Sequence, residues 1–226
     1  LIRAAMAAQG LDGFLVPHED EHQNEYLPAA NDRLAWASGF TGSAGAGVIM
    51  SDRAAVFVDG RYTLQVREQV DGRLYDYQST LDTTVAAWLA ENAASGARIG
   101  FDPWLHGKPW VEATAKALQA KGAVLVPVTG NPIDAIWADR PAPSPAPALV
   151  HGNDYAGQSS EAKRSEVAEW LTKRGLDAAV ISALDGVAWL LNLRGTDVER
   201  TPVALSFVLA HADGTAELFI AEEKVT

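Results

Sequence analysis

Five consecutive residues carry the chain's most suggestive chemical pattern. His18-Glu19-Asp20-Glu21-His22 matches H-E-x-x-H, in which two imidazoles one helical turn apart hold a zinc ion and the glutamate works on its bound water. That chemistry needs a helix. Here Pro17 precedes the motif at the end of an apolar run, no amphipathic stretch leads into it, and no third ligand stands at a familiar spacing. An acidic loop with two hydrogen-bonded histidines is expected instead. Residues 39–47 are glycine-rich, but phosphate cradles open a helix, whereas this turn opens the strand expected at 48–50 and lacks G-x-x-x-x-G-K. Ser43 stands near a G-x-S-x-G pattern, with Thr41 in place of the first glycine and no evident histidine partner.

Arg61 follows an apolar run and falls in the first turn of an expected helix, where a cation opposes the helix dipole. Something outside the helix would have to hold it. A guanidinium suits bidentate recognition of a carboxylate or a carbonyl; a salt bridge to Asp59 or simple solvation would equally account for it. Residues 193–200, L-R-G-T-D-V-E-R, place four charges between apolar segments. They read as a solvated loop or as the rim of a site.

The elements that must position these residues are written twice. L-D-G-F-L-V-P, W-A-S-G-F-T-G-S and V-I-M-S-D-R-A-A-V-F-V-D run through residues 11–59. L-D-A-A-V-I-S, W-L-L-N-L-R-G-T and S-F-V-L-A-H-A-D-G-T-A-E-L-F-I repeat that order through 176–220. Each copy predicts a buried strand, a tryptophan-led apolar segment and a hairpin, hence two sister domains. In the first copy the strand falls at 13–17, an ordered polar loop at 18–30, a compact segment anchored by Trp36 at 33–40, a tight turn at 41–47, and the hairpin at 48–50 and 54–58. A helix over 61–70 follows, then helices at 85–94 and 111–121 alternating with strands at 99–101 and 124–128. This is an α/β fold with a mixed sheet flanked by helices. Residues 131–137 read as a short docked segment, and four prolines within 138–148 make a stiff extended linker. A helix over 159–174, capped by Ser159 or Ser160, should bury Val167, Trp170 and Leu171 and end at Gly175. Residues 222–226 stand where the first copy starts its Arg61 helix, so the second copy stops half finished, with one sheet face and one edge uncovered. The expectation is two domains, 1–149 and an incomplete 150–226, in a protein that continues past Thr226. The chain also lacks an initial Met, as a trimmed sequence would.

Composition narrows the function. The chain has 226 residues, 48% hydrophobic and 21% charged, with a net charge of −11 that repels a phosphate backbone. The absence of cysteine excludes disulfides, a thiolate nucleophile and Cys-rich zinc sites. No apolar run approaches the roughly 20 residues of a membrane span, and the opening residues lack a signal peptide's apolar core. A soluble cytoplasmic protein, binding neither nucleic acid nor membrane, is the default.

Y-L-P-A-A-N-D-R-L-A-W-A-S-G-F-T-G-S-A-G-A-G-V-I and V-D-G-R-Y-T-L-Q closely resemble the N-terminal domain of three-domain Xaa-Pro aminopeptidases (aminopeptidase P, of the creatinase/prolidase family). L-D-G-V-A-W-L-L-N-L-R-G-T-D-V-E-R-T-P-V resembles their middle domain, and H-G-N-D-Y-A-G-Q-S-S-E-A-K the joining segment. These blocks cover roughly 11–70 and 150–220. The resemblance implies two tandem creatinase N-terminal-like domains, the second incomplete, in a metallopeptidase that removes the residue preceding a proline at a peptide's N-terminus. In such enzymes a C-terminal domain holds two divalent metals, usually Mn²⁺, on two Asp, one His and two Glu. None of His18, His22, His106, His151 and His211 stands in that motif. The resemblance therefore places no catalytic or metal residue here and implies that this piece alone is inactive. Its domains would shape the substrate entrance, contact the catalytic domain and contribute to a homodimer. Arg61, in D-G-R-Y, is the one residue carried over, as a binder of peptide substrate. The alternative is an inert module that binds peptides or histones.

Overall fold

The computed structural model describes residues 1–225, which form two compact units. The first comprises residues 1–25 and 29–141, the second 26–28 and 142–225.

The first unit is built on a six-stranded sheet. After helix α1 (Ile2–Ala8) come β1 (Gly13–Pro17), α2 (Arg33–Ser38), β2 (Gly45–Met50), β3 (Ala54–Val58), α3 (Gln65–Gln69), β4 (Asp76–Ser79), α4 (Val85–Asn92), β5 (Arg98–Phe101), α5 (Lys108–Gln119) and β6 (Val124–Pro127). The spatial order is β4-β3-β2-β1-β5-β6. β2 runs antiparallel to β1 and β3, and the other contacts are parallel, so five strands share one direction and β2 opposes them. Both faces are covered, which is why β3 reads A-A-V-F-V without alternation and all five of its residues are buried. Phe14, Leu34, Phe40, Ile49 and Val56 pack on one face; Leu15, Val48, Phe57, Trp88, Leu89 and Leu118 pack on the other. Each fully buried side chain of this size contributes roughly 1.5–3 kcal/mol.

Several expectations need correction. The strand expected at 48–50 starts at Gly45, because a Cβ at position 45 would stand 3.0 Å from the Phe57 carbonyl and one at 47 would stand 3.1 Å from a Leu34 methyl. These glycines admit close neighbours within the sheet. Trp36 is only partly buried and stacks on Trp137 with centroids 5.5 Å apart, while Leu34 and Phe40 are the buried anchors of its segment. The helix expected over 61–70 is a 3-10 turn, Gly60–Tyr62, followed by the short α3. Strand β4, polar and four residues long, was not foreseen. The docked segment is present: Ile133 is fully buried, and Asp134 accepts two hydrogen bonds (2.7 and 2.9 Å) from the buried Arg33.

The second unit contains β7 (Leu149–Val150), α6 (Asn153–Ala156), α7 (Ser160–Lys173), β8 (Ala178–Ile181), α8 (Leu184–Leu191), β9 (Leu193–Arg194), β10 (Ser206–His211) and β11 (Ala216–Ile220). Its sheet, β11-β10-β8, pairs antiparallel throughout, as β3-β2-β1 does. The repeat read from the sequence is therefore a repeat of register as well as of order. A 3-10 turn, Glu222–Lys224, follows β11 just as Gly60–Tyr62 follows β3; Thr226 lies outside the described residues. Ser159 caps α7 by accepting from the Ala162 amide. Trp170, expected on the apolar face, is 47% exposed and lies under the Arg174 guanidinium at 4.0 Å; the buried positions of α7 are Lys163, Ala168 and Leu171. The strand expected to be buried, β8, leaves Val180 74% exposed.

Candidate functional site

Five of the six strands of the first sheet point their carboxyl ends to one edge, the usual location of sites in α/β sheets. The His18 loop leaves β1 there, and Asp59-Gly60-Arg61-Tyr62 leaves β3 there. Asp59 caps the 3-10 turn: its Oδ1 accepts from the Arg61 amide at 2.8 Å. The same carboxylate takes the guanidinium on two sides, with Arg61 Nε at 3.0 Å and Nη2 at 2.6 Å from Oδ2. The hydrogen bonds from Arg61 hold the Asp59 carboxyl below its usual range, and Asp59 in turn raises Arg61. The guanidinium carbon lies 5.1 Å from the Tyr62 ring centroid. Arg61 is thus fixed through Nε and Nη2, its side chain remains 61% exposed, and Nη1 is left to donate outward.

Tyr62 connects this arginine to the glycine turn. Its ring packs edge-on to Phe40 at 5.6 Å, and its oxygen lies 2.8 Å from Ser43 Oγ. Ser43 Oγ lies 2.9 Å from Glu25 Oε1, which accepts only, so the proton order runs Tyr62 to Ser43 to Glu25. Ser43 is a relay of position in this chain of hydroxyls, with no imidazole among its partners.

The H-E-x-x-H motif lies in a loop, as expected from Pro17. Asp20, fully buried, organises it: Oδ1 accepts from the His22 and Asn24 amides at 2.9 and 3.1 Å, and Oδ2 accepts from the Asn24 side chain at 3.0 Å. His18 Nε2 donates to the Glu25 carbonyl at 3.0 Å, and its Nδ1 is 3.7 Å from Asp32. Among the described residues no three His, Asp or Glu side chains are grouped to hold a metal ion. The metal pair that the resemblance implies finds no fitting ligand set among the described residues.

The charged segment 193–200 is divided: Glu199 and Arg200 are exposed, as a solvated loop would have them, but Asp197 is not. Asp197 is buried and receives Lys224 Nζ at 2.7 Å, while its Oδ2 accepts from the Leu205 amide at 2.7 Å. Sequence reasoning missed this pair, and it also missed Lys163. That lysine is 3% exposed and donates to Asn192 Oδ1 at 2.6 Å and to the Trp189 carbonyl at 3.0 Å, closing the C-terminus of α8. The available signal for Lys163 was its place on the inner stripe of α7, four residues before Val167 and eight before Leu171. For Asp59 the signal was its position just before a turn.

A mixed sheet of this order, entered by a helix and followed by a partial second copy, defines a creatinase/prolidase N-terminal fold. The creatinase/prolidase N-terminal domain matches residues 1–136, and a second form of that domain matches residues 139–226. The chain belongs to this family. It is 37% identical over 228 residues to a probable Xaa-Pro aminopeptidase P of Coccidioides posadasii, covering 100% of this chain and 37% of that protein. It is likewise 37% identical over 221 residues to aminopeptidase P2 of Arabidopsis thaliana, covering 96% of the chain and 31% of that protein. Among solved structures, an X-prolyl aminopeptidase from Caenorhabditis elegans, described as a cytosolic enzyme with a di-nuclear active site, superposes with a TM-score of 0.91 at 34% identity. That match covers 96% of this chain and 35% of the other. The chain thus spans about a third of the length of these relatives. No helix among the described residues is long and apolar enough to cross a membrane.

Proposed function

We propose that this chain is the non-catalytic N-terminal part of a metal-dependent Xaa-Pro aminopeptidase that removes the residue preceding proline from peptide N-termini. The observation that carries this reading is the match of nearly the whole chain to X-prolyl aminopeptidases in sequence and in fold. Domains 1–149 and 150–226 shape the substrate entrance, contact the catalytic domain and contribute to a homodimer. The working place is the cytoplasm, the compartment named for the C. elegans enzyme. Two divalent metals, Mn²⁺ by preference, supply the hydrolytic chemistry from residues beyond this chain.

Arg61 is the substrate-binding residue of this part. Asp59 and Tyr62 fix its guanidinium, so Nη1 meets a peptide carbonyl or carboxylate with little rotamer freedom left to lose. The test is kinetic. In the peptidase carrying this chain, Arg61→Ala should raise KM about tenfold for peptides long enough to reach the edge, with kcat nearly unchanged, since one hydrogen bond to a charged group contributes about 1.5–3 kcal/mol. Unchanged KM at every peptide length would overturn this role. The 226-residue chain alone should cleave no Xaa-Pro peptide and bind no stoichiometric Mn²⁺; turnover by it would overturn the wider reading.

A further inference from the structure

A cavity of about 340 Å³ opens in the first unit where β1 and β5 end and α4 and α5 begin. Its size is that of a pocket for a small molecule, and its walls are mostly apolar, formed by Leu15, Ala46, Val85 and Trp110. Two polar side chains interrupt them. Glu19 is half-buried, and its carboxylate accepts no hydrogen bond among the described residues. His106 is packed between Phe101 and Trp110, with centroids 5.7 and 4.6 Å away. Its Nδ1 stands 2.9 Å from the Asp102 carbonyl. A carbonyl only accepts, so Nδ1 carries the proton and Nε2 keeps a lone pair that no described residue uses.

Both groups are held in poor surroundings for charge. Burial pushes the Glu19 carboxyl up and the His106 imidazole down. Gln23, at the mouth, gives one of its two amide N–H groups to the Asp20 carbonyl at 3.2 Å. Glu19 and His106 Nε2 therefore offer two acceptors to this cavity. One of them is a carboxylate that accepts no hydrogen bond among the described residues and has the His18 imidazole as its nearby, partly compensating group. A partly desolvated carboxylate with no hydrogen-bond donor, sharing a cavity with an aromatic side chain, is complementary to a cation with an apolar body.

We infer that this cavity binds a small apolar amine, with its protonated nitrogen at Glu19 and His106 Nε2 and its hydrocarbon part against Val85 and Trp110. The inference is independent of Arg61 and of the peptidase reading, because it uses neither the 3-10 turn nor any residue outside this chain.

The test titrates the 226-residue chain with benzylamine and, separately, with benzyl alcohol, following backbone amides by ¹⁵N–¹H NMR. Benzylamine should produce saturable shifts at Ala46, Gly107 and Trp110, and benzyl alcohol should bind at least about tenfold more weakly, since a hydrogen bond to a charged group is at stake. Glu19→Gln, which keeps the shape, should weaken benzylamine by a similar factor. His106→Phe, which keeps the ring stack, should weaken it severalfold. Val85→Trp, which fills the cavity, should abolish the shifts. Each variant's folding is read from its own amide spectrum, so a variant that fails to fold leaves the other two to decide. Equal binding of the alcohol and the amine, unchanged affinity in folded Glu19→Gln, or no saturable shift would each overturn the inference.

Discussion

Leu15, Val48 and Phe57 lie on one face of the first sheet, and Val180, Leu209 and Phe219 occupy the same places in the second. The registers make the correspondence: Leu15 pairs with Val48 as Val180 pairs with Leu209, and Ala46 pairs with Phe57 as Phe207 pairs with Phe219. In the first unit the three are buried beneath Trp88, Leu89 and Leu118 of α4 and α5. In the second, Val180 is 74% and Phe219 55% exposed, while Val208 and Ala210 on the opposite face are buried with Val187 and Leu190 of α8. One local pattern thus builds the same strands twice, but the burial of a residue is decided by helices far along the chain.

This contrast can be broken in several ways. Phe57→Ala should destabilise the first unit by about 3–5 kcal/mol, a cavity cost, whereas Phe219→Ala should cost less than about 1 kcal/mol. Denaturant unfolding followed at amides of each unit separates the two, and equal losses would show that the second face is covered after all. Buried ionic contacts offer the reverse case, stronger in the second unit. Lys224→Met leaves the Asp197 carboxylate buried without its cation and should cost about 3–5 kcal/mol in that unit alone, measured in the same way. The helix ends differ too. Gly39 ends α2 at φ 86° with a hypothetical Cβ only 2.9 Å from the Gln69 carbonyl, so Gly39→Ala should cost at least about 1–2 kcal/mol. Asn192 ends α8 at φ 52° and uses its amide to hold Lys163.

The smallest expected effect is a pH dependence confined to the first unit. Burial holds the folded-state pKa of His106 below the ordinary 6.5, so below that value the unfolded chain binds the proton more readily. The contribution of this residue is fully present above pH 6.5 and is lost as pH falls toward its depressed folded value. Midpoint denaturant concentrations measured from pH 7 to 5 should fall in the first unit, and His106→Phe should flatten that slope.

The strands and the repeat were legible because short-range apolar pattern and turn residues determine them: Pro17, Ser51-Asp52-Arg53 and Gly175 all ended elements as read. The break between residues 62 and 65 was not, because 3-10 and α turns share the same near-neighbour preferences and Asp59 chooses between them by capping a tight turn. Trp36 and Trp170 misled for a related reason. A tryptophan is large enough to stack on Trp137 or under Arg174 while keeping part of its surface wet. At the candidate site, Arg61 was singled out from its place after a buried strand, and its tie to Asp59 was one of the three outcomes open to it. The Tyr62–Ser43–Glu25 chain was not, since its members come from three separated segments that only the sheet brings together. Lys163 and Lys224 were hidden by their type, for lysine is almost never fully buried unless something accepts its charge.

Lys224 has a further consequence. Its ammonium also donates to the carbonyls of Ser144 and Ala146, in a stretch where proline leaves alternate residues without an amide hydrogen. One side chain therefore draws together stretches of the second unit 80 residues apart in sequence. Trypsin reads a lysine by swallowing its whole side chain, which a side chain 3% exposed cannot offer. The Lys224–Val225 bond should thus resist trypsin while the second unit is closed and be cut only through states in which that unit has opened.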